Sequence, residues 1–218
     1  MKKLKVVMIT IAVILLAASV AYAASYANIG ITAQVPNNSP QLSVIIKELT
    51  SEGQEPWTGT TVTAMDFGEL THTNTDSTDA GVWFSQKYFC VFIFTTSYGN
   101  RYEVKSTCKG LTSGANTLPT GSFMLTPGYT KDDEWSKGNA QGEMPTNAVL
   151  GDASSAVKTD QLVYRSETAG TNRIIRAFYS LPSYKSGGAD PYDGYEPIKL
   201  DQPAGTYSGT VTISIAAI

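Results

Sequence analysis

Apolar and polar positions alternate with a period of two along most of this chain. Ala27, Ile29, Ile31, Ala33 and Val35 are interleaved with Asn28, Gly30, Thr32 and Gln34, the signature of a half-buried strand. Pro36-Asn37-Asn38-Ser39-Pro40 stops that strand, and a β-branched run over 42–49, with Val44, Ile45 and Ile46, begins the next. Further strands are expected over 64–70 (where Gly68 marks a bulge), 88–96, 101–108 and 121–126. Segments 161–167 and 172–181 read as a hairpin across Thr168-Ala169-Gly170-Thr171, and 206–218 alternates through Val211, Ile213, Ile215 and Ala217. No window sustains a capped helical period, so helix is expected only in short pieces within 131–136 or 151–158. Eight or nine short strands separated by turn signals predict an all-β fold, an immunoglobulin-like Greek-key β-sandwich. One domain spans 24–218, with two long loops over 127–160 and 182–203.

The first residues change that picture only at the start. Lys2, Lys3 and Lys5 precede an almost purely apolar stretch over 6–18, and Ala21-Tyr22-Ala23 places small residues on either side of a bulky one. That order is a signal peptide, 1–23, cut after Ala23. A retained anchor would need about 18 or more apolar residues, and the cleavage-like site favours removal. No cysteine follows the cut and no second apolar run is long enough to span a bilayer. The expected product is exported, to a periplasm, a cell surface or the extracellular space, with no membrane attachment after signal removal. Losing the three lysines takes the formal net charge from −3 to −6, which argues against nucleic acid and anionic membranes as partners.

Two cysteines in an exported chain invite pairing. Cys90 and Cys108 lie equidistant from Gly99, inside the turn signal Ser97-Tyr98-Gly99-Asn100. A hairpin folded there sets the two cysteines opposite each other, where Cβ atoms about 4.5–5.5 Å apart approach bonding range. The expectation is a cross-strand disulfide on a face shared with Phe92, Phe94, Tyr102 and Val104. The alternative is two free buried thiols.

Candidate chemistry is sparse. His72 is the single histidine and sits in a Thr/Asn/Asp-rich stretch, with no His-x-x-x-His, Cys-x-x-Cys, phosphate loop or Gly-x-Ser-x-Gly elbow. Asp132-Asp133-Glu134 beside Trp135 offers a foothold for sugar hydrolysis, but adjacent acids point different ways and read as a solvated loop. The oxygen-rich segment 74–79 lacks the spacing of an EF-hand. These residues predict no catalytic centre, no metal and no cofactor. Trp57 and Trp135 are candidate sugar-stacking aromatics, so a carbohydrate-binding surface module that takes polysaccharide is the second functional reading. An exported hydrolase is the third.

The alternating strand just after the cut and the one over 206–218 matter more, because a free strand can add to an open sheet edge of a neighbour. Ala27-Asn28-Ile29-Gly30-Ile31-Thr32-Ala33-Gln34-Val35, Met65-Asp66-Phe67-Gly68-Glu69-Leu70 and Ala204-Gly205-Thr206-Tyr207-Ser208-Gly209-Thr210-Val211-Thr212-Ile213 resemble the framework of bacterial spore-coat-U-like and fimbrial-type surface proteins. That resemblance implies an immunoglobulin-like sandwich and, for some members, pilus subunits assembled by donor-strand exchange. Residues 216–218 lack the aromatic that chaperone-assembled pilins carry near this point. The leading expectation is a non-enzymatic structural protein of the cell surface or matrix, a fibre subunit. Its partners would be copies of itself or related subunits, reached through a donor strand of Ala27, Ile29, Ile31, Ala33 and Val35.

Overall fold

The computed structural model describes residues 38–51, 53–73, 81–130, 146–152, 155–183 and 194–218, all within one compact unit, Asn38–Ile218. The expected signal peptide, the strand from Ala27 to Val35, segment 74–79, and Asp132, Asp133, Glu134 and Trp135 lie outside the described residues.

The described chain is all-β. Its strands are β1 (Gln41–Leu49), β2 (Thr60–Val62), β3 (Thr71–His72), β4 (Val82–Phe84), β5 (Tyr88–Thr96), β6 (Tyr102–Cys108), β7 (Thr112–Ser113) and β8 (Asn116–Thr117). They continue with β9 (Met124–Thr130), β10 (Val149–Leu150), β11 (Ser155–Ala156), β12 (Gln161–Arg165), β13 (Ile174–Ser180), β14 (Ile198–Lys199) and β15 (Val211–Ala217). Helix among the described residues is limited to single 3-10 turns at Pro56–Thr58 and Thr120–Ser122. Two antiparallel sheets dominate, a six-stranded one ordered β11-β9-β13-β5-β1-β2 and a four-stranded one ordered β10-β12-β6-β15. They stack face to face as a sandwich. Phe89, Val91 and Ile93 of β5 and Ile175 and Ala177 of β13 meet Tyr102 and Val104 of β6 and Val163 of β12, all nearly or fully buried.

β5 explains why the neighbours in sequence are not neighbours in the sheet. Its sequence, YFCVFIFTT, is apolar on both faces, as expected of a central strand covered on both sides. The outward residues Cys90 and Phe92 join Leu49 and Ile174 in a second apolar layer, with Trp57, Phe94 and Phe178 packed against it. Both hydrogen-bonding edges of β5 are taken, one by β1 and the other by β13. No edge is left for β6. The tight turn forms as expected, with the Asn100 N–H donating to the Ser97 carbonyl at 3.0 Å and Tyr98 and Gly99 at φ 49° and 80°. The chain then crosses to the other sheet, so the connection is an arch and not a hairpin. The same holds for β12 and β13. Both edges of β13 are paired, to β5 and β9, and the expected hairpin across residues 168–171 is a second arch.

The arch overturns the disulfide expectation. Cys90 faces the outer layer of the six-stranded sheet, whereas Cys108 faces the core between the sheets. Both are free and buried. Burial pushes the Cys90 thiol up, with the Arg176 charge pulling weakly the other way, so it is a poor thiolate and an inert one. Two free, buried thiols per chain should therefore react with a thiol reagent only after unfolding, and added reductant should leave the melting temperature unchanged. A single unmodified mass under alkylation in denaturant would contradict this.

Other expectations shift by local chemistry. Segment 64–70 makes no ladder, because Asp66 Oδ1 accepts the Gly68 N–H at 2.9 Å and offers the backbone a turn instead. Phe67 still packs inward, edge-on to Phe89 at 4.9 Å and to Phe123 at 5.8 Å. The strand expected over 121–126 begins only at Met124, after the Thr120–Ser122 turn. The described part of 151–158 holds β11 and no helix.

Candidate functional site

Among the described residues, the side of the sandwich where β1 and β15 face each other is only partly covered. Partners directly opposite in an antiparallel ladder share a face. Leu42, Val44 and Ile46 of β1 oppose Thr95, Ile93 and Val91 of β5, so they point between the sheets. Val211, Ile213 and Ile215 of β15 oppose Cys108, Ser106 and Val104 of β6 and point inward too. The β5 and β6 partners are buried. The facing rows are not: Val44 is 44 % exposed, and Leu42, Ile46, Val211, Ile213 and Ile215 are only half-buried. These side chains pack against the core while keeping part of their apolar surface exposed among the described residues, and they define a mouth running along β1 and β15.

The backbone at this mouth is also open. β15 is the outer strand of its sheet, bonded to β6 alone among the described residues. On β1, β2 covers only Ile46, Lys47 and Glu48, leaving the edge from Gln41 to Ile45 without a described partner. Natural edge strands are guarded against further pairing by Lys, Pro, a bulge or shortness. β15 has none of these. Its seven residues, VTISIAA, are uncharged and in unbroken register with β6. What such a site can do is accept an extended segment, by backbone hydrogen bonds along β15 and by apolar side chains at alternate positions entering the mouth.

A second cluster lies at the end of the sandwich where β5 passes to β6 and β12 to β13. Glu167, 8 % exposed, accepts from Tyr164 Oη at 3.0 Å, Thr171 Oγ1 at 2.6 Å and Arg173 Nη2 at 2.5 Å. Tyr102 Oη shares a hydrogen bond with Thr95 Oγ1 at 2.7 Å and donates to the Thr171 carbonyl at 2.8 Å. The Ser97 N–H donates to Asn172 Oδ1 at 2.9 Å, and Ser97 Oγ to the Gly170 carbonyl at 3.2 Å. Burial alone would raise the Glu167 carboxyl. The hydrogen bonds from Thr171, its own backbone N–H and Tyr164, together with the Arg173 charge, outweigh it and hold the carboxyl below its ordinary range. This is a clamp joining both arches, and no local motif announces it.

The remaining candidates are placed separately. Trp57 stands edge-on to Phe92 at 5.2 Å with the Lys47 ammonium 5.1 Å from its ring centre, so one face of the indole is already engaged. His72 is exposed, with Nδ1 2.9 Å from the Thr73 carbonyl and its ring edge-on to Trp83. Among the described residues no group of three His, Cys, Asp or Glu side chains could hold a metal ion, and no helix is long and apolar enough to cross a membrane. Comparison of the chain with protein families, with curated proteins and with solved structures returns no match.

Proposed function

We propose that this chain is an exported structural protein of the cell surface or extracellular matrix. It is an immunoglobulin-like subunit that joins others of its kind by β-strand addition. The mouth between β1 and β15 carries the proposal: among the described residues it has an unguarded, uncharged edge beside apolar rows that point inward and stay partly exposed. The chain also encodes a segment of matching pattern, since Ala27, Ile29, Ile31, Ala33 and Val35 alternate with small polar residues. Inserted along β15 of a second copy, the apolar set would enter the mouth and the polar set would lie beside exposed Thr212 and Ser214. Because the walls of the mouth carry no charge, the association would be apolar and backbone-driven and nearly indifferent to salt.

Negative-stain images of the concentrated protein, begun at Ala24 and compared with the same chain lacking residues 24–35, test this directly. The intact chain is expected to form fibres at both low and high ionic strength, and the shortened one to remain monomeric. Strict monomers from both would end the proposal.

A further inference from the structure

We infer that the end of the sandwich bearing Tyr98 is a subunit-contact surface that meets the far end of the next copy of the chain. The inference rests on strand addition as proposed above, and it concerns a different surface from the mouth.

The chain enters β1 at this end. Asn100 Nδ2 donates to the Asn38 carbonyl at 2.6 Å, which fixes the point where the preceding segment departs. Only Pro36 and Asn37 separate Val35 from Asn38, a reach of about 10 Å at full extension, and Pro36 removes freedom within it. A copy that receives Val35 must therefore lie against this end.

The end is built as a contact surface would be. Tyr98 is 49 % exposed and Ile218 is 53 % exposed, and the Ile218 N–H donates to the Arg101 carbonyl at 3.1 Å, which brings Ile218 to the same arch. Tyr98 holds a left-handed backbone, φ 49°, where Asn or Gly would sit with less strain. An exposed aromatic therefore stands on a turn position that disfavours it. The arch beneath is held by Ser97 to Asn172 and Gly170 and by the Glu167 clamp, so the ring is presented from a rigid base. Rigid aromatic presentation lowers the ordering cost of association.

The partner surface follows from direction. An antiparallel ladder is the more stable pairing per residue, and it would place Val35 beside the start of β15, at Val211. The contact there is the opposite end of the sandwich, where Gly209 packs directly on the Gly110 backbone and Lys109 and Thr210 are exposed. Gly209 is itself exposed and carries no side chain to obstruct an aromatic ring. Unlike ends then meet, which continues a fibre, whereas like ends would close a two-fold pair.

Tyr98→Asn separates this contact from the mouth. Two readouts are compared on the chain begun at Ala24: polymer formation by sedimentation, and binding of a labelled synthetic peptide of residues 24–35 at a protein concentration below the onset of polymer. The peptide reaches the mouth without any subunit behind it. The substitution is expected to leave peptide affinity and the melting temperature unreduced while raising the concentration needed for polymer about tenfold, the scale of losing an interfacial tyrosine. Ile218→Ser should act in the same direction. Unchanged polymerisation in both variants would overturn the contact, as would a parallel loss of peptide binding, which would place the effect at the mouth. If the unmodified chain neither polymerises nor binds the peptide, strand addition fails and the contact with it.

Discussion

Ile213→Asp is expected to weaken strand addition by about a thousandfold while costing the monomer only about 1 kcal/mol. Ile213 points into the mouth and is half-buried, so in the open subunit a carboxylate there can still reach water. An incoming strand would seal it beneath apolar residues, and an unpaired buried charge costs several kcal/mol. Ser214→Asp is the matched control, because Ser214 is exposed and faces the other way. It should leave addition within about tenfold of the unsubstituted chain. Titrating the labelled 24–35 peptide against the three proteins measures the difference. Equal affinity for all three would show that β15 does not receive the strand.

Glu167→Gln should lower stability at neutral pH by about 2–3 kcal/mol, the range for hydrogen bonds to a buried charge. For a domain of this size that corresponds to a fall of about 5–10 °C in melting temperature. Arg173 would lose its counter-ion, and three donors would face a weaker acceptor. The pH dependence is a second signature. The folded-state carboxyl lies below its ordinary value of 4.5, so its contribution is complete above that value and is lost as pH falls through the lower, folded one. The gap between the two proteins should therefore be widest near neutrality and close as the acid limb is entered. Thermal melts from about pH 3 to pH 7 check both points, and a gap independent of pH would mean that the clamp does not depend on the ionised carboxylate.

Strand positions were legible in the sequence where alternation was strong. β6 and β15 fall within the segments expected for them, and β1 begins one residue early, because period-two patterning reports which face is covered. Pairing was less legible. The turn at Ser97-Tyr98-Gly99-Asn100 is real, but a tight turn makes a hairpin only if the first strand has a free edge. The hint lay in β5 itself, whose unbroken apolar run marks a central strand with neighbours on both sides. The expected disulfide failed for the same reason, since it assumed that β6 occupied one of those edges. At the mouth, the inward rows could be read from alternation. Their exposure could not, because it depends on which elements of the fold lie beside them. The Glu167 clamp was invisible, being assembled from Thr95, Tyr102, Tyr164, Thr171 and Arg173 on separate elements with nothing local to mark them.

The two arches also govern the order in which the molecule can form. Among the described residues, no strand pair adjacent in the chain within 88–180 supplies a large-sheet ladder by itself. β5 can pair early with β1, but its second edge waits for β13, and β6 waits for β12 and finally β15. Contacts between such distant segments carry a loop-closure cost and slow folding. The β1–β2 and β1–β5 ladders can form from the first half of the chain, whereas the four-stranded sheet cannot be completed until β15 is available. Closure of the sandwich therefore depends on the last strand of the chain, and the delay falls most heavily on the central half, where both arches are found.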